Sequence, residues 1–306
     1  MKPITPEEAA KIAKKQAREH KGKTKAKLFQ SFDSFQELVE FGKLNAKHRQ
    51  ADNRVSRQEG TGYLANYFEF PSYEDACDKA ASGWPGGTTR IKRISASLTE
   101  KVLATVKMQD FIYDDEGIFL DSERYAEGDP DCLMKLEEFE CETRGADNIH
   151  IFMNAAASAV VDKAILANRG AAIVALTAGL SLAGKNVEVR VGCSNGTIET
   201  IFTAKALGDP LQIDQLAISV ACGDVFRRFA FAAWERCENE DILAEGGIRR
   251  GGGYGYPMNC YEVDNFDIVL PTMIGYGDKG QFESEETTEK WVYAKLKQLG
   301  VELDGV

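Results

Sequence analysis

The stretch from Asn148 to Ala206 constrains the fold more than any other part of the chain. It opens with an apolar run, Ile149 to Met153, bounded tightly enough to be a buried strand. A loop of small residues, Asn154 to Ser158, precedes a long apolar helix expected over roughly Ala167 to Ala183. Gly184 tolerates the left-handed conformation that ends helices. Asn186 to Val191 then alternates, with Val187, Val189 and Val191 on one face. The turn Cys193-Ser194-Asn195-Gly196 leads into a second alternating run, Thr197 to Thr203, and Asn-Gly between two such runs is a hairpin signal. Strand, helix, strand, hairpin, strand is the order of an α/β fold, a mixed sheet flanked by helices.

Before this stretch the punctuation is helical. Thr5-Pro6-Glu7-Glu8 is a capping box with Pro at the first helical position, predicting a basic helix from Pro6 to Glu19. Ser34-Phe35-Gln36-Glu37 starts a second helix, running to Leu44, and Ser72-Tyr73-Glu74-Asp75 a third, ending at Gly83. Ile91, Ile94, Leu98 and Val102 recur at helical spacing over 88–106. Phe111 to Tyr113 and Ile118 to Leu120 flank an acidic turn and read as a small hairpin. Leu133 to Thr143 alternates and is expected to pair antiparallel with Ile149 to Met153. Past the central hairpin, helices are expected at Ile213 to Ala221, Asp224 to Cys237 and Ser284 to Leu299, with strands at Phe266 to Leu270 and Val301 to Leu303. The chain thus divides into a basic arm (1–27), a mainly helical region (28–130) and an α/β domain (131–306).

Charge separates these regions. The net charge is −11, but residues 1–27 carry nine Lys and Arg against three Glu, a net +6 that leaves −17 elsewhere. A polyanion is repelled by the average surface and can bind only local basic features. Seven cysteines without a Cys-x-x-Cys pair fit free thiols in a reducing compartment, so a cytoplasmic location is expected. No uninterrupted apolar run reaches the ~18 residues that span a bilayer, and no membrane partner is expected.

No catalytic constellation stands out. His20, His48 and His150 lack Cys, His or carboxylate partners at ligand spacing, which argues against a zinc site or a His-based triad. Ser181 sits mid-helix, where a nucleophile elbow cannot form. Gly251-Gly252-Gly253-Tyr254-Gly255 runs into Tyr256-Pro257 and opens no helix, so it is not a dinucleotide fingerprint. An enzyme ranks third among the readings, and no cofactor is expected.

The residues that do suggest chemistry suggest binding. Arg249 and Arg250 supply forks for phosphates, Tyr254 and Tyr256 supply flat faces for unstacked bases, and the glycines between them let a strand approach. Lys11, Lys14, Lys15 and Arg18 on the arm, and Arg49, Arg54 and Arg57 in a polar segment, are further phosphate contacts. The leading reading is a non-enzymatic protein that binds single-stranded DNA. By topology, the Arg-Gly loop is expected at the opposite end of the sheet from Asn154.

Two resemblances bear on this. Residues 148–303 resemble a von Willebrand factor A-type domain, which implies helices on both sheet faces and one antiparallel strand. That family ends its first strand in Asp-x-Ser-x-Ser, which holds magnesium; here Asn154-Ala155-Ala156-Ala157-Ser158 keeps only the last serine, and Pro271-Thr272-Met273 stands where Thr-Asp-Gly is often found. A hard cation needs several oxygen ligands, so no metal is expected. The resemblance implies a protein-interaction module acting through loops at Asn154, Asp209 and Thr272. The chain also resembles a group of phage and bacterial proteins, through Ser72-Tyr73-Glu74 with Gly83-Trp84-Pro85-Gly86, Gly128-Asp129-Pro130-Asp131-Cys132 with Met134, and Arg169-Gly170-Ala171-Ala172 with Gly184 and Val187-Glu188-Val189. Some short-tailed phages carry single-stranded-DNA-binding cofactors of their RNA polymerase, and the resemblance implies RNA polymerase or another protein as a second partner.

Overall fold

The computed structural model describes residues 26–43, 55–61, 68–84, 89, 91–93, 96, 111–114, 116, 119–136, 147–158, 161–237, 239–248, 253–261, 263–274 and 280–301. The expected helix over 6–19 and most of that over 88–106 lie outside these residues. The described strands are β1 (Leu28–Phe32), β2 (Phe111–Asp114), β3 (Phe119–Leu120), β4 (Leu133–Leu136), β5 (Asn148–Asn154), β6 (Asn186–Ser194), β7 (Ile198–Lys205) and β8 (Ile268–Leu270). The described α-helices are α1 (Phe35–Lys43), α2 (Tyr73–Ser82), α3 (Ser122–Glu127), α4 (Lys163–Leu182), α5 (Ile213–Ala221), α6 (Phe231–Trp234), α7 (Glu240–Glu245) and α8 (Glu285–Gln298). A π-helical turn, Val225–Ala230, leads directly into α6.

Five strands make one mixed sheet in the order β1-β7-β6-β5-β8. β5 runs parallel to both β6 and β8, β6 and β7 are antiparallel, and β1 lies parallel to β7. The central strand–helix–strand–hairpin–strand order is therefore as the sequence specifies. Three expectations about its neighbours are corrected. β4 does not pair with β5, because β6 and β8 occupy both sides of β5. The hairpin expected over 111–120 is instead a three-stranded sheet, in which β4 lies between β2 and β3. The mainly helical region contributes strand β1 to the main sheet. The sequence hides β1 because Gln30, on its core side, breaks the apolar alternation. Its amide donates to Ala233 O (3.0 Å) and its carbonyl accepts from Thr200 Oγ1 (2.8 Å), so both polar ends are satisfied. Val301 is not in a strand.

Helices α1, α2, α4, α5 and α8 pack on one face of the sheet. Ile149, Ile151, Met153, Val187, Val189, Val191 and Phe202 share a core with side chains from α1, α2, α4, α5 and α8. α4 is buried on nearly all sides, which explains why its sequence is apolar all round. By length and composition it could cross a membrane, yet 89% of its apolar window is buried inside the fold. Asp162 caps its start by accepting from Ala164 N (2.7 Å). At its end, Gly184 (φ 74°) places Lys185 N on Leu180 O (2.9 Å) and Gly184 N on Ser181 O (3.1 Å), the bonding of a Schellman motif. The other sheet face, carrying His150, Phe152, Asn154 and Glu199, meets Cys260, Tyr261, Phe266 and Asp267. Among the described residues, the helices that share this core lie on one face, whereas the A-domain resemblance implies helices on both.

A buried charge fastens the 55–72 segment to the π-helical turn. Arg228 donates to the carbonyls of Ser56 (3.0 Å), Gln58 (3.1 Å), Phe70 (2.8 Å) and Pro71 (3.3 Å). Asp224, 3.5 Å from Arg228 Nε, accepts from the backbone N–H groups of Phe70 (2.9 Å) and Glu69 (3.3 Å). Burial pushes the Asp224 carboxyl up to about 6, against the lowering pull of Arg228 and the two N–H groups.

Two outcomes follow from this packing. A Cβ at Gly170 would lie 2.3 Å from Ala221 Cβ and 2.6 Å from its Cα, so α4 and α5 touch through the glycine. Gly170→Ala should therefore cost about 1–3 kcal/mol despite its better helix propensity. Gly280→Ala, with nothing within 4 Å, should change urea stability by less than about 0.5 kcal/mol. Asp224 titrates near 6 in the fold and near 3.9 unfolded. Between pH 4 and 6 the folded chain thus holds a proton the unfolded chain has lost. This carboxyl's contribution to stability falls as pH rises through that window, by on the order of 3 kcal/mol, and is flat above it. Going from pH 4.5 to 7, wild type should lose urea stability relative to Asp224→Asn, which does not titrate.

Candidate functional site

On the sheet face opposite the helices the side chains of β5, β6, β7 and β1 enclose a pocket of about 310 Å³. Phe152, one of its walls, is seated over Gly192, which has no side chain. A Cβ there would lie 2.4 Å from Phe152 Cζ and 2.6 Å from Cys260 Sγ, so the Phe152 ring lies over the glycine. Phe152 and Ile201 line the pocket together with Phe29, which is 57% exposed. Tyr261 and Phe266 supply further walls from the segment that crosses this face, and the Phe266 ring meets Phe152 edge-on at 5.0 Å. Arg190 and Glu199 add the charge, and Ala26, the first described residue, lies on the lining.

The polar groups are organised by strand register. Arg190 lies beside Phe152 on β5, at a register shift between β6 and β7. Arg190 Nη2 donates to Glu188 Oε1 (3.1 Å), and His150 Nδ1 lies 2.9 Å from Glu188 Oε2. His150 thus has the carboxylate partner that sequence spacing does not reveal, directly opposite it in register on the neighbouring strand. Glu199 is buried and accepts from Tyr261 N (2.8 Å), while Tyr261 Oη donates to Gly196 O (3.1 Å). Burial, then the Glu199 charge, pushes the Tyr261 phenol up. Burial raises the Cys260 thiol well above its usual range, with Glu199 adding to the effect, so it stays protonated and a poor nucleophile. Among the described residues no group of three or more His, Cys, Asp or Glu is placed to hold a metal. The pocket thus combines aromatic walls with one half-exposed cation, Arg190, and one buried carboxylate, Glu199.

Of the residues singled out from sequence, Lys11, Lys14, Lys15, Arg18, Arg49, Arg54, Arg249 and Arg250 lie outside the described residues. Arg57 is engaged internally: its guanidinium lies 3.5 Å over the Tyr73 ring, donates to Gly42 O (2.9 Å) and pairs with Glu74 (3.3 Å). Tyr254 is corrected from a stacking platform to an anchor. It is 6% exposed and stacked on Phe231, with centroids 3.9 Å apart and planes 12° from parallel. Its hydroxyl donates to the buried Glu235 carboxylate, which also takes a bond from Ser56 Oγ (2.6 Å). Tyr256 remains open, at 61% exposure.

The expected separation of the Arg-Gly loop from Asn154 is also corrected. β5 and β6 are parallel, so Asn154 and Ser194 lie at the same end of the sheet. The tip of the β6–β7 hairpin holds the flanks of the Arg-Gly loop there. Asn195 Oδ1 accepts from Thr197 N (3.0 Å) and Ile198 N (2.8 Å), while Nδ2 donates to Gly246 O and Tyr254 O (both 3.1 Å). Met258 N donates to Ser194 O (2.8 Å), and Cys260 N to Asn154 Oδ1 (2.7 Å). Asn-Gly at the turn carried this signal in part. It announces the hairpin, but not that the asparagine amide reaches 51 and 59 residues onward.

A family model described as a domain of unknown function, DUF7192, matches residues 13–302. No curated protein and no solved structure matches.

Replacing Asn195 by Asp keeps the two accepted bonds and sets a carboxylate oxygen against two carbonyls. Asn195→Asp should cost about 2–4 kcal/mol, for two lost donors in a buried site. Limited proteolysis should then cut within 246–258 at protease levels that leave the wild type intact.

Proposed function

We propose that this chain, which belongs to the DUF7192 family, is a non-enzymatic single-stranded nucleic-acid-binding protein that uses the open face of its sheet. The observation that carries the reading is Phe29, 57% exposed and lining an aromatic pocket that Arg190 also lines. Stacking on exposed rings is sequence-tolerant, because every base has a π-face. The charge is assigned to basic residues of the sequence. The basic arm, with Lys11, Lys14, Lys15 and Arg18, joins the fold at Ala26 on the pocket lining. Arg249 and Arg250 add phosphate contacts, and Tyr256 a second exposed ring. A chain of net charge −11 binds a polyanion through such local features alone, so affinity should fall steeply with salt. A role beside an RNA polymerase is compatible with this reading.

A second reading, a protein-interaction module of degenerate von Willebrand factor A type, draws support from the strand order β7-β6-β5-β8 with antiparallel β7. It predicts no affinity for oligonucleotides. Fluorescence anisotropy with a labelled single-stranded 11-mer at two salt concentrations separates the two. Phe29→Ala should weaken binding by about 1–3 kcal/mol, roughly 5- to 150-fold, and leave the salt slope unchanged. Deleting residues 1–25 should flatten that slope by about 0.7 log units per lost phosphate contact. If micromolar wild-type protein at low salt retains no oligonucleotide, the nucleic-acid reading is wrong.

A further inference from the structure

We propose that His150 is a pH sensor for the open face, which through Glu188 sets how strongly Arg190 holds a phosphate. This rests on the single-strand reading above and goes further, to what regulates it. The three side chains form one run of hydrogen bonds across two strands. His150 is opposite Glu188 in the register of β5 and β6, and Arg190 follows opposite Phe152. Glu188 is buried, and its two oxygens are divided. Oε2 lies 2.9 Å from His150 Nδ1, and Oε1 accepts from Arg190 Nη2 (3.1 Å). A carboxylate only accepts, so Nδ1 carries the hydrogen and Nε2 the lone pair. Nε2 has no hydrogen bond among the described residues, and the His150 side chain is 34% exposed. A proton can therefore enter at Nε2 without breaking the bond to Glu188. From the segment before β8, Asp267 Oδ2 accepts from His150 N (2.7 Å), and the Phe266 ring lies edge-on to the imidazole at 6.4 Å. Asp267 is thus spent on the backbone, and Glu188 is the carboxylate that the ring itself meets.

Histidine is the side chain whose ordinary charge change falls between pH 5 and 8. With the ring neutral, one carboxylate balances one guanidinium. With the ring protonated, two cations share that carboxylate, and the group carries a net positive charge. The hydrogen bonds stay the same, and only the charge behind Arg190 changes. Arg190 can offer that charge to a ligand, because its side chain is 45% exposed and Glu188 takes one bond from a guanidinium with five N–H groups. Such a fork is what a phosphate meets. The new charge lies on the order of 8 Å from the guanidinium, across one carboxylate and two hydrogen bonds. That is within a Debye length, so salt does not erase its effect, and it is worth roughly threefold to tenfold in affinity for each phosphate so held. The protonated form binds the anion more tightly, so the gain is present at low pH and is lost as pH rises through the histidine's titration. Linkage is reciprocal, and an anion on Arg190 should make His150 harder to deprotonate.

The test uses full-length protein at pH 5.5 and pH 8, about one unit or more on either side of an ordinary histidine. A labelled thymidine 11-mer, read by anisotropy, should bind the wild type more tightly at the lower pH. His150→Asn keeps an amide donor toward Glu188 and does not titrate, so it subtracts the titration of every other group. The pH-dependent gain of wild type over His150→Asn should be roughly threefold to tenfold, and in an Arg190→Ala background it should vanish. The ring protons of His150, assigned by their loss in His150→Asn, give a reading without a strand. By NMR, Arg190→Ala should move their titration midpoint to higher pH, because Glu188 then serves the histidine alone, and Glu188→Gln should move it lower. Inorganic phosphate should raise the wild-type midpoint and leave that of Arg190→Ala in place. If the strand binds with equal pH dependence in wild type and His150→Asn, or the midpoint ignores Arg190→Ala, the sensor is wrong, and single-strand binding stands wherever the strand binds. If the midpoints and phosphate behave as stated while no strand binds at either pH, the sensor stands and the single-strand reading fails. If the midpoint ignores Arg190→Ala and no strand binds, both are wrong.

Discussion

Arg169 holds together the end of the sheet on which the site depends. It lies inside α4, 1% exposed, and donates to Asn154 O (3.0 Å) and Pro271 O (2.6 Å). These carbonyls terminate β5 and follow β8, where a parallel sheet runs out of ladder partners. A guanidinium is the side chain that can serve two such acceptors from one rigid fork. Asn154 completes the junction, with Nδ2 on Leu270 O (2.9 Å) and Oδ1 accepting Cys260 N (2.7 Å). The helix layer thereby fixes the strand ends, and the strand ends fix the segment that crosses to the open face. The walls Tyr261 and Phe266 come from that segment. The Asn154 position, where a resembling family keeps a carboxylate for metal, here serves backbone N–H and carbonyl groups.

A second buried arginine performs the same task on the helix side. Arg228 gathers four carbonyls of the 56–71 segment, and Asp224 takes two of its N–H groups. Segments without regular structure carry backbone groups that water cannot reach, and a buried ion pair with many hydrogen bonds satisfies them. Glu235 repeats the pattern for Ser56 and Tyr254. The molecule therefore uses buried charge to seat irregular chain, while Phe29, Tyr125 and Tyr256 are its exposed aromatic rings among the described residues.

How much of this was legible in the sequence depends on how local each signal was. β5, α4, the β6–β7 hairpin and α5 follow from periodicity and punctuation within a few residues, and the capped starts of α1, α2 and α8 are written in Ser34, Ser72 and Ser284. β1 was hidden by Gln30, whose partners Thr200 and Ala233 lie some 170 and 203 residues away. The site was hidden for the same reason. Val187, Val189 and Val191 reveal one face of β6, and Glu188, Arg190 and Gly192 on the other read as ordinary polar exposure until β5 and β7 are placed beside them. Tyr254 misled because a tyrosine among glycines signals an accessible ring, and only Phe231 and Glu235 show it to be enclosed. Arg57 misled likewise, since Tyr73 and Gly42 already hold its guanidinium.

The placement of β1 has a consequence for how the protein is made. Leu28 pairs with Ile198, 170 positions later in the chain. At ribosomal rates of roughly 5–20 residues per second, on the order of ten seconds or more elapse between the synthesis of the two strands. During that interval β5, α4 and β6 already contain their own short-range partners and can assemble. β1 waits beside the nascent chain with Phe32 outside the core it later joins. Synonymous codon changes that slow translation between residues 32 and 198 would lengthen this exposure without altering a single amino acid. Elongation speed, a property of the message, thus sets how long β1 waits for its partner.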